Sequence, residues 1–107
     1  MKTHLARDLT ELESQLSSLG ELVIDSVQCA IDAIGSFDLE KVARIGENEK
    51  RINEMEISIE QNCLKIIALH QPVATDLRFL IVVPKVNNDL ERIADQAVNI
   101  GARVEFL

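Results

Sequence analysis

Two acidic residues near the end of the chain, Glu91 and Asp95, are spaced one helical turn apart. On a helix, residues at i and i+4 project from the same strip of surface, so these carboxylates would lie side by side. Carboxylates held that close repel each other unless a cation lies between them, and hard divalent cations prefer oxygen ligands. The pair is therefore a candidate metal site, with a solvated acidic helix flank as the alternative.

Two other acidic pairs have the same spacing, Glu21 with Asp25 and Glu56 with Glu60. We interpret both as solvated helix surface, since such pairs are common on exposed helices. They show that spacing alone is a weak signal for metal.

The sequence contains no set of residues typical of an enzyme. His4 and His70 are isolated, and neither follows a Glu by three residues, as a ferritin-like di-iron oxidase in a helical bundle would require. Cys29 and Cys63 lie in apolar stripes without C-x-x-C spacing, which predicts buried small hydrophobes and not a disulfide or a zinc site. We therefore expect a protein that is not an enzyme.

The composition limits the classes of protein to which this chain could belong. The 107 residues carry a net charge of −7, with 27% charged, 47% apolar and 3% aromatic residues. This size suits one domain, 1–107, with a core of aliphatic side chains. The acidic balance argues against nucleic acid and against an anionic membrane surface. We expect a cytoplasmic protein that does not insert into the membrane.

Three long segments position the candidate residues, because apolar side chains recur in them every three or four positions. The first extends to Ile34 and is predicted to end at Gly35–Asp38, the second runs from about 39 to 69, and Pro72 opens the third. Equal lengths and short links predict an all-α, antiparallel three-helix bundle. The predicted apolar residues are Leu5, Leu9, Leu12, Leu16, Leu19, Val23, Val27, Ala30 and Ile34, then Val42, Ile45, Ile52, Met55, Ile59, Cys63, Ile66 and Leu69, then Leu77, Leu80, Ile81, Val86, Leu90, Ile93, Ala97, Ile100 and Val104.

Two features depart from a regular bundle. Pro84 lies inside the third segment, where we expect a kink. The chain ends at Phe106–Leu107 without a capping signal, and exposed apolar surface there would favour a homo-oligomer, most simply a homodimer.

Three stretches together resemble the PhoU family of bacterial phosphate-signalling regulators: Glu47–Asn53, Cys63–Arg78 and Asp89–Ile100. The resemblance implies the first of the two tandem three-helix repeats of that family. It also implies an adaptor that couples the ATPase of a phosphate ABC transporter to a sensor histidine kinase. Such an adaptor serves phosphate homeostasis by repressing transcription of the phosphate-starvation response.

The resemblance also implies metal binding through E/D-x-x-x-D pairs on the second and third helices. Glu91 and Asp95 match the third-helix pair in full, and Glu49 with Asn53 would be the second-helix pair. Asn53 supplies an uncharged amide oxygen, which removes one negative charge from the site. The implied cofactor is Fe, Mn, Mg or Zn. The alternative is a metal-free interaction module, such as the PhoU-like appendage of a sodium–phosphate cotransporter.

Overall fold

The computed structural model describes residues 2–106, with side chains from His4 onward. It contains three helices, α1 (Lys2–Ser36), α2 (Leu39–His70) and α3 (Ala74–Phe106). They pack side by side in a bundle of 55 × 18 × 17 Å, close to the roughly 50 Å that helices of this length require at 1.5 Å per residue. The all-α three-helix fold is confirmed. None of the described helices is long and apolar enough to cross a membrane.

The first link consists of Phe37 and Asp38. The Asp38 side chain accepts a hydrogen bond from the backbone N–H of Glu40 at 3.0 Å and so caps α2, as predicted. α1 ends at Ser36, within the predicted Gly35–Asp38 segment, although Gly35 itself is still helical and is not the capping residue. The left-handed residue is Phe37 (φ 54°), whose N–H donates to the carbonyl of Ala33 at 2.7 Å.

The second link lies where the proline predicted it. α2 ends at His70, and Gln71 adopts a left-handed conformation (φ 45°) with its N–H donating to the carbonyl of Ile67 at 3.0 Å. α3 begins at Ala74, two residues later than the position of Pro72 suggested.

Buried residues recur every seven positions on all three helices. This repeat keeps one line of each helix facing the bundle axis along its length. The buried lines are Leu12, Leu19, Ser26 and Ala33 on α1, Ile45, Ile52, Ile59 and Ile66 on α2, and Leu80, Asn87, Ala94 and Gly101 on α3.

The predicted apolar stripes follow these lines only in part. Ile34 and Leu69 were expected in the core but are 54% and 63% exposed, and Ile93 is 47% exposed. On α1 and α3 the buried positions are taken by the small neighbours Ala33 and Ala94 instead. Hydrophobicity alone predicts that the larger residue of each adjacent pair is buried. The seven-residue repeat predicts that the smaller one is.

Hydrogen bonds between side chains join α1 to α2. The guanidinium of Arg44 donates twice to the carboxylate of Asp25, at 2.9 Å each. The amide of Asn48 donates to Asp25 at 2.8 Å and to the hydroxyl of Ser26 at 3.0 Å. Interpreting Asp25 as solvated surface was therefore wrong, because it is the acceptor at the centre of an interhelical network.

His70 contacts α1 near the other end of the groove between α1 and α2. Its imidazole is 6% exposed and lies 2.9 Å from the carboxylate of Asp8 on α1. His70 therefore ties the end of α2 to the start of α1.

Replacing Asp25 with Asn should destabilise the fold at neutral pH by about 1 kcal/mol, a value kept low because both partners of the ion pair are partly exposed. The hydrogen bond from Asn48 is the main cause that lowers the pKa of Asp25 below its usual 3.8, and the charge of Arg44 adds to it. A lowered carboxyl pKa stabilises the fold above pH 3.8, and this contribution is lost as the pH falls through the folded-state pKa.

Urea unfolding of wild type and Asp25→Asn across acidic to neutral pH checks this expectation. The difference in free energy of unfolding should shrink towards low pH. Asp32→Asn is the control, because the ion pair between Asp32 and Lys41 is long at 3.9 Å and exposed. Equal effects of the two substitutions would contradict the role given to Asp25.

Candidate functional site

Two carboxyl groups meet across the groove between α2 and α3. Glu56 on α2 and Glu91 on α3 are both half-buried. The pKa of Glu56 is raised from 4.5 to about 7, first by burial, then by a hydrogen bond shared with Glu91 and by the charges of Glu91, Glu60 and Asp95. We call the surface formed by Glu56, Glu60, Glu91 and Asp95 the acidic groove.

The seven-residue repeats bring these side chains together. Glu56 lies four residues after the buried Ile52, on the flank of α2 that faces α3. Glu91 lies four residues after the buried Asn87 on the facing flank of α3. The amide of Asn87 donates to the backbone carbonyl of Glu56 at 3.0 Å, which fixes the register of the two helices at this level.

Asn87 also leaves a polar atom without a partner. Its side chain is 3% exposed, and its Oδ1 has no hydrogen-bond partner among the described residues. A buried oxygen without a donor is unfavourable unless water or a cation reaches it. Asn87 lines a cavity of about 310 Å³ together with Glu56, Glu60, Pro84, Lys85 and Asn88.

Pro84 contributes to this cavity from within α3. The helix continues without interruption through it, so the proline does not end α3, and the predicted kink stays a prediction. Because proline has no N–H, the carbonyl of Leu80 loses its usual partner one turn earlier. α3 therefore lacks one backbone hydrogen bond at this level.

The structure assembles only part of the site predicted from sequence. Glu91 lies against Glu56, and the charge of Asp95 acts on the same carboxyl. Glu49 is half-buried and Asn53 exposed, and neither is among the groups that shift the pKa of Glu56. No three described His, Cys, Asp or Glu side chains are already arranged to hold a metal ion.

The second-helix residue that sequence reasoning missed is Glu56. It was set aside with Glu60 as solvated surface, although it lies seven residues after Glu49 and therefore on the same flank of α2. Spacing alone does not reveal whether Glu49 or Glu56 lies next to Glu91. The register of α2 against α3 does, because it places Glu56 opposite Glu91.

The two cysteines take no part in this site. Cys29 and Cys63 are free and buried, as predicted. Burial raises the pKa of both thiols, so they remain protonated and act as small apolar side chains.

Fold and site together define a small helical module with an acidic groove and a second, hydrogen-bonded groove between α1 and α2. A family model for the PhoU domain matches residues 16–104, and the chain belongs to the PhoU family.

Curated relatives support this assignment. The chain is 42% identical over 100 residues to the phosphate-specific transport system accessory protein PhoU homolog of a Burkholderia species, covering 94% of this chain and 43% of that protein. It is 33% identical over 103 residues to the Aquifex aeolicus homolog, covering 96% and 47%. It is 37% identical over 93 residues to PhoU of Escherichia coli K12, covering 87% and 39%. The chain thus spans less than half the length of these relatives.

The metal-free protein should become less stable as the pH rises from 4.5 through about 7. Folding raises the pKa of Glu56, so the folded state holds the proton that the unfolded state releases above its ordinary pKa. Glu56→Gln keeps the hydrogen-bonding shape without the charge and should raise the melting temperature at pH 8 while flattening this part of the profile.

Thermal unfolding in the presence of a chelator, at several pH values, measures the effect. Glu13→Gln, which removes an exposed charge from α1, is the matched control and should leave the slope unchanged. A Glu56→Gln profile parallel to that of wild type would show that this carboxyl does not carry the proton.

Proposed function

We propose that the chain is a regulatory accessory module of a phosphate transport system and acts by docking, without catalysis, on the cytoplasmic side. The proposal depends mainly on the family match over residues 16–104. Relatives with this domain are named phosphate-specific transport system accessory proteins. The partners we propose are the ATPase of a phosphate ABC transporter and a sensor histidine kinase, through which the module represses the phosphate-starvation response.

The surface of the bundle supports docking over chemistry. Among its described histidine and cysteine side chains, His70 is paired with Asp8, both thiols are buried, and the exposed His4 lies 3.1 Å from Arg7 on α1. This arrangement gives no support to a di-iron oxidase, which would need histidine beside the carboxylates. In the acidic groove, the charges of neighbouring carboxylates raise the pKa of Glu56.

We propose that this groove binds a divalent cation. The repulsion between Glu56 and Glu91 and the unpartnered Oδ1 of Asn87 both fit a cation that accepts oxygen ligands. Glu60 and Asp95 are exposed and free to rotate towards it. Oxygen donors without histidine or thiolate favour Mg, Mn or Fe over Zn.

In this proposal Glu56 is the second-helix ligand, in place of the Glu49 predicted from sequence. Burial and neighbouring carboxylates hold a proton on Glu56, and a cation would displace it. When bound, the cation supplies positive charge that joins α2 to α3. Glu91 and Asp95 keep their sequence-based assignment, whereas Glu49 and Asn53 lie outside the set we propose.

A metal-free PhoU-like appendage of a sodium–phosphate cotransporter is the second candidate. The described helices include none able to cross a membrane, so such an appendage would have to be carried by another segment or chain. Interaction assays distinguish the two candidates.

Metal binding should depend on Glu56 and Glu91 and not on Glu49. Isothermal titration of the apo-protein with Mn²⁺ should show Glu56→Gln and Glu91→Gln each weakening affinity by about tenfold or more, since outer-shell changes alone have effects of that size. Glu49→Gln is matched in charge and lies on the same helix flank, and it should bind as wild type does. A loss confined to Glu49→Gln would restore the site predicted from sequence.

Pull-down with purified ABC-transporter ATPase, histidine kinase and cotransporter tests the docking function. We expect retention of the ATPase and the kinase, with and without Mn²⁺. Retention of the cotransporter alone would support the second candidate. Binding to none of the three would contradict an accessory role.

A further inference from the structure

Exposed aliphatic and basic side chains occur together on the outer surface of α2 and α3. Leu64 on α2 is 62% exposed, and Ile81 and Val82 on α3 are 50% and 47% exposed. Arg78 and Lys85 lie one turn to either side of Ile81 and Val82 on α3, and both are exposed. We call these five residues the cationic patch.

The positions of the aliphatic residues along the two helices bring them together. Glu60 on α2 and Pro84 with Lys85 on α3 line one cavity, so the helices are neighbours at this level. Leu64 lies one turn after Glu60, and Ile81 lies one turn before Lys85. Because α2 and α3 are antiparallel neighbours joined by a short link, both steps lead in the same direction. Leu64 and Ile81 therefore flank the same stretch of the groove between α2 and α3.

The two cations of the patch are not used within the bundle. The chain has 18 acidic and 11 basic residues, yet neither Arg78 nor Lys85 forms an ion pair with a carboxylate among the described side chains. The two residues are seven positions apart and so share one strip of α3. Both remain free to pair with carboxylates that approach from outside.

The shape and the charges of the patch fit an α-helix. Leu64 and Ile81 border a groove between two antiparallel helices, the position in which a further helix packs onto a bundle. Arg78 and Lys85 are about 10 Å apart along α3, at a rise of 1.5 Å per residue. Two carboxylates at positions i and i+7 of a helix laid along this groove have the same separation, and charge-assisted hydrogen bonds would join them to the two cations.

An anionic membrane fits the same surface less well. The acidic groove begins at Glu60, one turn from Leu64 and in the same cavity as Lys85. A membrane broad enough to cover the patch would also press these carboxylates against headgroups of like charge. A single helix can contact the patch and leave the acidic groove uncovered.

We propose that the cationic patch binds an amphipathic helix of a partner protein, in which an aliphatic stripe is flanked by Asp or Glu side chains. This inference rests on the docking function proposed above and assigns the surface that performs it. Burial of Leu64, Ile81 and Val82 supplies the apolar contact. Arg78 and Lys85 set the orientation of the helix, and the acidic groove repels its carboxylates, so its position along α3 is fixed as well.

Fluorescence polarisation with a synthetic probe tests this assignment. The probe is a labelled helical peptide with a leucine stripe flanked on both sides by glutamate, and the comparison peptide carries glutamine in place of each glutamate. With a chelator present, wild type should bind the glutamate peptide about tenfold or more tightly than the glutamine peptide, because only the former pairs with the cations. Affinity for the glutamate peptide should fall as the salt concentration rises.

Substitutions within the patch should weaken binding of the glutamate peptide. Lys85→Glu should raise its dissociation constant by about tenfold or more, because it places like charges against each other. Lys50→Glu is the matched control, the same substitution at an exposed lysine about 20 Å along α2 from Leu64. Ile81→Gln should also weaken binding, whereas Ile31→Gln on α1, at a residue of similar exposure, should not. Helical circular dichroism should be the same in all four variants, since each substituted side chain is exposed.

Three results would overturn the proposal: no binding of the glutamate peptide, equal binding of the two peptides, or equal losses in Lys85→Glu and Lys50→Glu. The pull-down described above tests the proposed function separately. Retention of the ATPase and the kinase without peptide binding would refute the patch alone. Peptide binding with the expected variant effects, but without retention of either protein, would support the patch and contradict the partners proposed for the module.

Discussion

The seven-residue repeat of buried positions is the constraint on which the rest of this structure depends. Four residues on each helix, seven apart, point to the axis, and on α2 all four are isoleucine, from Ile45 to Ile66. Once these lines are fixed, the two flanks of every helix are fixed as well. Each flank pairs with a flank of one neighbour, so the three grooves of the bundle follow from the repeat.

Each groove has its own chemistry. Between α1 and α2, the Asp25 carboxylate is paired with Arg44 and Asn48, so polar groups are satisfied internally. Between α2 and α3, burial and the neighbouring carboxylates raise the pKa of Glu56, which shares a hydrogen bond with Glu91. Between α1 and α3, isoleucine side chains face water. The first groove is satisfied internally, whereas the second keeps carboxylates close together and the third leaves apolar side chains exposed.

The sequence predicts the helices well because periodicity and caps are local signals. Asp38 and Pro72 marked the links, and the spacing of Glu91 and Asp95 led to a candidate site on α3 that stays a prediction. The facing residue Glu56 was not, because helix register depends on contacts between distant residues such as Asn87 and the backbone of Glu56. Ile34 was placed in the core because hydrophobicity does not reveal which of two adjacent residues faces the axis.

Two of the misplaced predictions, those for Glu56 and Ile34, share a physical cause. Glu56 and Ile34 each occupy a position where the fold would be more stable with another residue: a neutral polar side chain in the acidic groove, and a polar one on the exposed flank of α1. Reasoning from stability assigns such residues to the wrong environment, and departures of this kind concentrate at functional surfaces. α3 carries a share of both, with Glu91 on one flank and Ile93 on the other.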